Sequence, residues 1–158
     1  MAKIFGIALA ALTAIWLAAA PGASAMMDDD SDSRSASKGN DSEIAKAAKD
    51  IGAQKYKDAI ERLQKIVGHD AKNADAWNLL GFSNRKIGKY ADALGAYEKA
   101  LAINPSHLGA NEYLGELYVE TGDVPKAEER LKRLNDLCPK GCDEARALKA
   151  AIAAKKGT

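Results

Sequence analysis

Apolar residues recur along most of this chain with the spacing of one face of an α-helix. Trp77, Leu80 and Gly81 follow an i, i+3, i+4 pattern, and residues 90–101 carry a second apolar run with helical spacing. Gly88 separates the two runs, and an Asn-Pro pair follows the second one. Because glycine and proline end helices, this pattern predicts two helices joined by a tight turn.

The predicted helix pair repeats along the chain at a fixed interval. Ala59, Ala93 and Ala127 occupy one slot of this repeat. A period of about 34 residues is typical of stacked repeats, in which each unit buries an apolar face against the next. The predicted domain spans residues 42–158, with units at about 42–73, 74–107 and 108–141 and a capping helix at 142–156.

The first unit fits the period less well than the other two. Its turn is predicted to contain two inserted residues, which places Ile44, Ala45 and Ala48 in the core slots of its first helix. Terminal repeats are often atypical, so this departure agrees with a stacked array.

The residues in these slots resemble the tetratricopeptide repeat, whose pattern is W-x2-L-G-x2-Y, A-x3-F and P over about 34 residues. Asn84 and Asn111 depart from it, at the tyrosine of the middle unit and the tryptophan of the third. The resemblance implies an all-α fold, a right-handed superhelix of about three helix-turn-helix units. The positions assigned to the repeat core are Trp77, Leu80, Gly81, Ala93, Tyr97, Ala100, Pro105, Leu114, Gly115, Tyr118, Ala127 and Pro139.

In that family the first helices of successive units line a concave groove that holds a peptide or partner segment. The matching slots here are Lys46, Lys49, Asn78, Phe82, Arg85, Glu112 and Glu116. This groove would run from basic to acidic, with an exposed Phe82 as its aromatic anchor and Trp77 buried on the opposite face. The alternative, that these are ordinary exposed helix residues, stays open.

Two segments precede the repeats. Residues 1–25 begin with Lys3, continue through an apolar stretch and end in Ala23-Ser24-Ala25, the layout of a cleaved secretory signal peptide. An uncleaved membrane anchor is the alternative. Residues 26–41 are rich in Ser and Asp without periodicity, so they are predicted to be a disordered linker. We therefore expect an exported protein, periplasmic in a Gram-negative bacterium, without membrane insertion after cleavage.

The two cysteines, Cys138 and Cys142, flank the turn between the last repeat and the cap. In an oxidising compartment, two cysteines across a tight bend favour a disulfide. A redox pair would normally have two intervening residues rather than three, and a zinc site needs four ligands. His69 and His107 lie in predicted loops without ligand spacing, so each is expected to be solvated.

Composition and motifs exclude several classes of function. The 23 Lys and Arg residues nearly balance the 22 Asp and Glu residues, so the chain lacks the basic excess of a nucleic-acid-binding protein. It contains no phosphate-binding loop, G-x-S-x-G or H-E-x-x-H motif. We therefore expect a non-catalytic adaptor without a cofactor, which binds a protein or peptide. The alternatives are a redox or metal-handling protein that uses the cysteine pair, and self-association.

Overall fold

The computed structural model describes residues 30–157, which form seven α-helices and no strand. The predicted signal peptide, residues 1–25, lies outside the described residues. The helices are α1 (Asp30–Gly52), α2 (Tyr56–His69), α3 (Ala74–Lys86), α4 (Tyr90–Ile103), α5 (Leu108–Thr121), α6 (Val124–Leu137) and α7 (Asp143–Lys156). The predicted all-α class is therefore confirmed. Within the described residues, no helix is both long and apolar enough to cross a lipid bilayer.

Side-chain caps begin three of the helices. Asn73 accepts a hydrogen bond from the Ala76 amide at the start of α3, and Asp123 accepts one from the Lys126 amide at the start of α6. Such caps satisfy amides that have no partner inside the helix. His107 caps α5 in the same way through Nδ1, so its prediction as a solvated loop residue is wrong.

Helix α1 is longer than the sequence pattern predicts. It begins at Asp30, so residues 30–41 are helical and the prediction of a disordered linker at 26–41 is wrong over that part. Once the packed half of α1 is formed, each further residue adds one backbone hydrogen bond without a new nucleation cost. A polar segment that would not fold alone can therefore extend an existing helix.

The turn in the first repeat contains no insertion. Helices α2, α4 and α6 begin at equal intervals along the chain, and Gln54 holds a φ of +58° where Gly88 and Gly122 hold +78° and +86°. An L-residue in this left-handed region is strained, which is why the other two turns use glycine. The two-residue shift predicted for the first repeat is therefore wrong.

The corrected register changes which α1 residues are buried. Ala47, which lies one repeat period before Gly81, is fully buried, whereas Ala45 and Ala48 are exposed and Ile44 is half-buried. Ser42 and Lys46 occupy the slots of Ala76 and Leu80, and both are exposed. No repeat precedes this face within the described chain, so polar residues stand where later repeats place apolar ones, as in a terminal capping repeat.

Buried side chains form three clusters that follow one another along the array. The first joins α1 to α4 around Leu63 and Leu80, the second joins α4 and α5 around Tyr97 and Leu114, and the third joins α6 and α7 around Leu148. Two glycines allow close approach within the array. A Cβ on Gly81 would lie 2.6 Å from ring carbons of Tyr97, and one on Gly115 would meet the side chain of Leu148. Tyr97 and Leu148 therefore each occupy space that is available only because the facing residue is glycine.

Most residues assigned to the repeat core are buried, but four are not. Trp77 and Tyr118 are half-buried, since each ring packs against a core cluster with one side and meets a lysine with the other, Lys99 and Lys126 respectively. Pro105 and Pro139 are exposed. They lie in the turns after α4 and α6, where their role is to end helices rather than to fill the core.

Candidate functional site

The curvature of the array identifies its concave face. Among the described helices, α1 contacts α3, α3 contacts α5 and α5 contacts α7, whereas α2, α4 and α6 do not contact one another. Helices that touch lie on the inner side of a curved stack, and helices that splay apart lie on the outer side. The groove surface is therefore formed by α1, α3, α5 and α7.

Aromatic side chains form the centre of this surface. The rings of Phe82 on α3 and Tyr113 on α5 lie 4.9 Å apart between centroids and are tilted by 52°. Tyr56 lies 6.5 Å from Phe82, and Tyr97 lies 6.4 Å from Tyr113. Phe82 is half-buried rather than fully exposed as predicted, because its neighbours cover part of the ring. We call the Phe82 and Tyr113 pair the aromatic platform.

Arg85 is not the exposed groove charge that the sequence predicts. It is only 4% exposed, and its guanidinium group donates to Glu116 at 2.5 Å and to Glu120 at 2.6 Å. The guanidinium also lies over both rings of the aromatic platform, 5.5 Å from the centroid of Phe82 and 5.7 Å from that of Tyr113. A buried cation needs such partners because its desolvation is costly. Arg85 therefore supports the groove from beneath and links α3 to α5.

Asn78 is also buried rather than exposed in the groove. Its side-chain amide nitrogen faces Gly109 at the start of α5, and its Oδ1 atom has no hydrogen-bond partner among the described residues. On the other side of α3, Trp77 donates to the carbonyl of Ala71, and Lys99 lies 4.1 Å from the ring centroid. Phe82 and Trp77 are both half-buried, so the predicted contrast between an exposed and a buried aromatic is wrong.

The α5 end of the groove is acidic. Glu112 and Glu116 lie one turn apart on α5 and are both half-buried. Burial, together with the negative charges of Glu116, Glu144 and Asp143, raises the pKa of Glu112 from its ordinary value of 4.5 to about 7, although the cation of Arg85 opposes this increase. Glu112 therefore lies in a partly desolvated position beside other carboxylates.

The α1 end carries exposed basic residues, but not at the predicted groove slots. Lys46 and Lys49 are exposed, and Lys46 pairs with Glu43 on its own helix at 2.6 Å. With the corrected register, the residues that correspond to Asn78, Phe82 and Arg85 are Ile44, Ala48 and Ile51. Lys46 instead corresponds to the core slot of Leu80, on the face that would meet a preceding repeat. The predicted basic-to-acidic groove is therefore not formed by these slots.

Sequence reasoning missed two residues of the site. Tyr113 occupies a groove slot where some members of the family place a polar or basic group, and the sequence does not predict that it forms half of the aromatic platform. Glu120 was also missed, although it lies one turn beyond Glu116 and binds the same guanidinium group. The spacing of Glu116 and Glu120 was a usable signal, because carboxylates at i and i+4 on one helix face can share one cation.

The cysteine pair lies away from the groove, in the turn between α6 and α7. The Cα atoms of Cys138 and Cys142 are 6.0 Å apart, and the two sulfur atoms are joined as a disulfide. Both residues pack against the apolar cluster that holds α7. No group of three or more His, Cys, Asp and Glu side chains converges to bind a metal ion within residues 30–157.

Comparisons with known proteins identify similarities in sequence and in fold. Residues 86–152 match the family model described as tetratricopeptide repeat. A 68-residue segment is 34% identical to protein FlbA of Caulobacter vibrioides, which corresponds to 43% of this chain but only 11% of FlbA. The chain therefore spans a small part of this curated relative.

Two solved structures have similar folds. The secretion chaperone SycD of Yersinia enterocolitica, solved with a peptide of the translocator YopD, has a TM-score of 0.66 at 18% identity, and the match covers 73% of this chain and 91% of SycD. The second tetratricopeptide domain of human RPAP3, solved with an HSP70 peptide, has a TM-score of 0.67 at 22% identity. That match covers 75% of this chain and 98% of the domain.

Proposed function

We propose that this chain, whose residues 86–152 match the tetratricopeptide repeat model, is a non-catalytic protein-interaction adaptor of the cell envelope. The observation that carries this proposal is the aromatic platform, two half-buried rings on the concave face of the array. Aromatic residues in partly desolvated surfaces are common anchors for protein partners. SycD and the second tetratricopeptide domain of RPAP3, which have similar folds, were solved with bound peptides.

The rigidity of the groove also supports peptide binding. The Arg85 guanidinium group joins α3 to α5 through two carboxylates and contacts both rings of the aromatic platform. The platform is therefore held in place before a partner arrives, which reduces the entropy lost on binding. A segment bound there would cover the rings without reorganising the helices.

Site-specific photo-crosslinking tests the proposed groove. A benzoylphenylalanine residue replaces Phe82 in the groove or, as the control, Tyr90 at the start of α4, which is 42% exposed on the outer side. We expect discrete adducts with envelope proteins of the native organism from position 82 and none from position 90. Equal adducts from both positions, or adducts from position 90 alone, would contradict the proposed groove.

Export is a separate part of the proposal. It is supported by the charged start, the apolar stretch and the small residues of segment 1–25, and by a cysteine pair at disulfide distance, which suits an oxidising compartment. Intact-mass measurement of the protein from fractionated cells tests it. We expect a mature chain that begins at Met26 in the envelope fraction, and a cytoplasmic chain that retains residues 1–25 would contradict export.

A further inference from the structure

The acidic end of the concave groove carries a charge that lacks a partner in the protein. Arg85 is occupied by Glu116 and Glu120. Across the described part of the chain, no Lys, Arg or His forms an ion pair with Glu112. Glu144 at the start of α7 adds a further negative charge beside it. The junction of α5 and α7 is therefore suited to an external cation.

A second unpaired acceptor lies in the same contact between α3 and α5. Asn78 is 7% exposed, and its Oδ1 atom has no hydrogen-bond partner among the described residues. Its amide nitrogen faces Gly109, one turn before Glu112. A buried acceptor without a donor is energetically unfavourable. The unpaired Asn78 oxygen is an observation separate from the charges on α5.

The acidic end is also next to an apolar surface. Tyr113 follows Glu112 directly in α5, and its ring forms the aromatic platform with Phe82. Both rings are half-buried. The Arg85 guanidinium group lies over both of them, and Lys86 Nζ lies 5.1 Å from the centroid of Phe82. A ligand at this position would meet a carboxylate and an aromatic surface together.

We propose that the groove binds a peptide segment that carries a lysine or arginine beside an apolar side chain. The basic group pairs with Glu112 at the junction of α5 and α7, and the apolar side chain covers Phe82 and Tyr113. This inference rests on the proposed function, and it names the chemistry of the partner. Charge complementarity selects this partner over an acidic segment, which Glu112 and Glu144 would repel.

The ionisation of Glu112 gives this mode of binding a pH signature. In the free protein the pKa of Glu112 is about 7, and the charged groups that face it are Arg85 from α3, Glu116 from α5, and Asp143 and Glu144 from α7. A bound cation favours the ionised carboxylate and so lowers this pKa. Binding at pH 6 therefore requires loss of a proton, and affinity rises as the pH increases through 7.

Selection of peptides provides the first measurement. The purified full chain is used to select from a phage-displayed library of random dodecapeptides, and peptides that also bind the Phe82→Ala variant are discarded. We expect the remaining peptides to be enriched in Lys or Arg within a few residues of Leu, Ile or Phe. The best peptide and its sibling with the basic residue replaced by Gln are then titrated by fluorescence anisotropy at pH 6 and pH 8.

Two matched variants assign the effect to Glu112. Glu112→Gln should weaken binding of the basic peptide about fivefold at pH 8, the effect of about 1 kcal/mol expected for a half-exposed ion pair. Glu112→Gln should also remove the difference in peptide affinity between pH 6 and pH 8. Glu98→Gln makes the same charge change on the exposed surface of α4 and should alter neither quantity.

The outcomes separate this inference from the proposed function. Selected peptides that depend on Phe82 but show no basic enrichment, and that bind Glu112→Gln as tightly as the native protein, would overturn the charge inference and leave the groove function standing. Failure to obtain any Phe82-dependent peptide would count against both the charge inference and the proposed groove function. Sedimentation could instead show a dimer that the Phe82→Ala variant dissociates. That result would mean that a second copy of the chain occupies the groove, and it would also overturn the inference.

Discussion

The contact between Gly81 and Tyr97 provides the most direct test of how the repeats pack. In Gly81→Ala the new Cβ would lie 2.6 Å from Cδ1 and Cε1 of Tyr97, well inside van der Waals distance. Tyr97 is fully buried, and its ring is bounded by Tyr113 and the guanidinium group of Arg85. A fully buried ring in a close-packed core has little room to move, so the helices must separate to relieve the contact.

Two opposing terms determine the size of the effect. Overpacking of this kind costs about 1–3 kcal/mol. Replacing a glycine by alanine in a helix gains about 1 kcal/mol, so the expected net loss for Gly81→Ala is about 0–2 kcal/mol. Gly95 in α4 is the matched control, since a Cβ added to it would meet nothing within 4 Å. Gly95→Ala should therefore stabilise the protein by about 0.5–1 kcal/mol.

Urea denaturation followed by circular dichroism measures both free energies of unfolding. We expect the midpoint to fall for Gly81→Ala and to rise for Gly95→Ala. In a double-mutant cycle, Tyr97→Leu should make the added Gly81→Ala change less costly, because the smaller side chain leaves room for the methyl group. If Gly81→Ala is as stable as Gly95→Ala, the Tyr97 side chain does not pack against Gly81 and the close contact between α3 and α4 is absent.

Three further predictions concern charge and the disulfide. Arg85→Met should destabilise the protein by about 2 kcal/mol in urea denaturation because α3 and α5 lose the charged hydrogen bonds that join them; no change would show that Arg85 is not a structural link. Cys138→Ser/Cys142→Ser should cost about 2 kcal/mol in thermal melts because the closed loop is short, while free thiols in the native protein would contradict the disulfide. Glu112 binds its proton more tightly when folded, so its contribution to stability is fully present below pH 4.5 and is lost as the pH rises through about 7. Glu112→Gln should therefore flatten the decline in stability across this range, and an unchanged pH profile would place Glu112 in a different environment.

The sequence alone determined the repeat architecture and the slots of most core residues. Leu80, Gly81, Ala93 and Tyr97 are buried in the structure at the positions that the repeat period assigns. This was predictable because helical periodicity and helix-breaking residues are local properties of the chain. The first repeat was assigned the wrong register because Gln54 occupies a position where the other repeats use glycine, and strain at one residue leaves no signal in the apolar pattern.

Only the tertiary structure decided which polar residues form the groove and which lie beneath it. The sequence places Arg85 on a helix face away from the core stripe, and it cannot show that Glu116 and Glu120 of the next repeat cover it. Likewise, the raised pKa of Glu112 depends on Glu144 and other charges that only folding brings close. Helical periodicity predicts the helix face on which a residue lies. The burial and the electrostatic surroundings of that residue depend on side chains from other helices, which only the tertiary structure brings close.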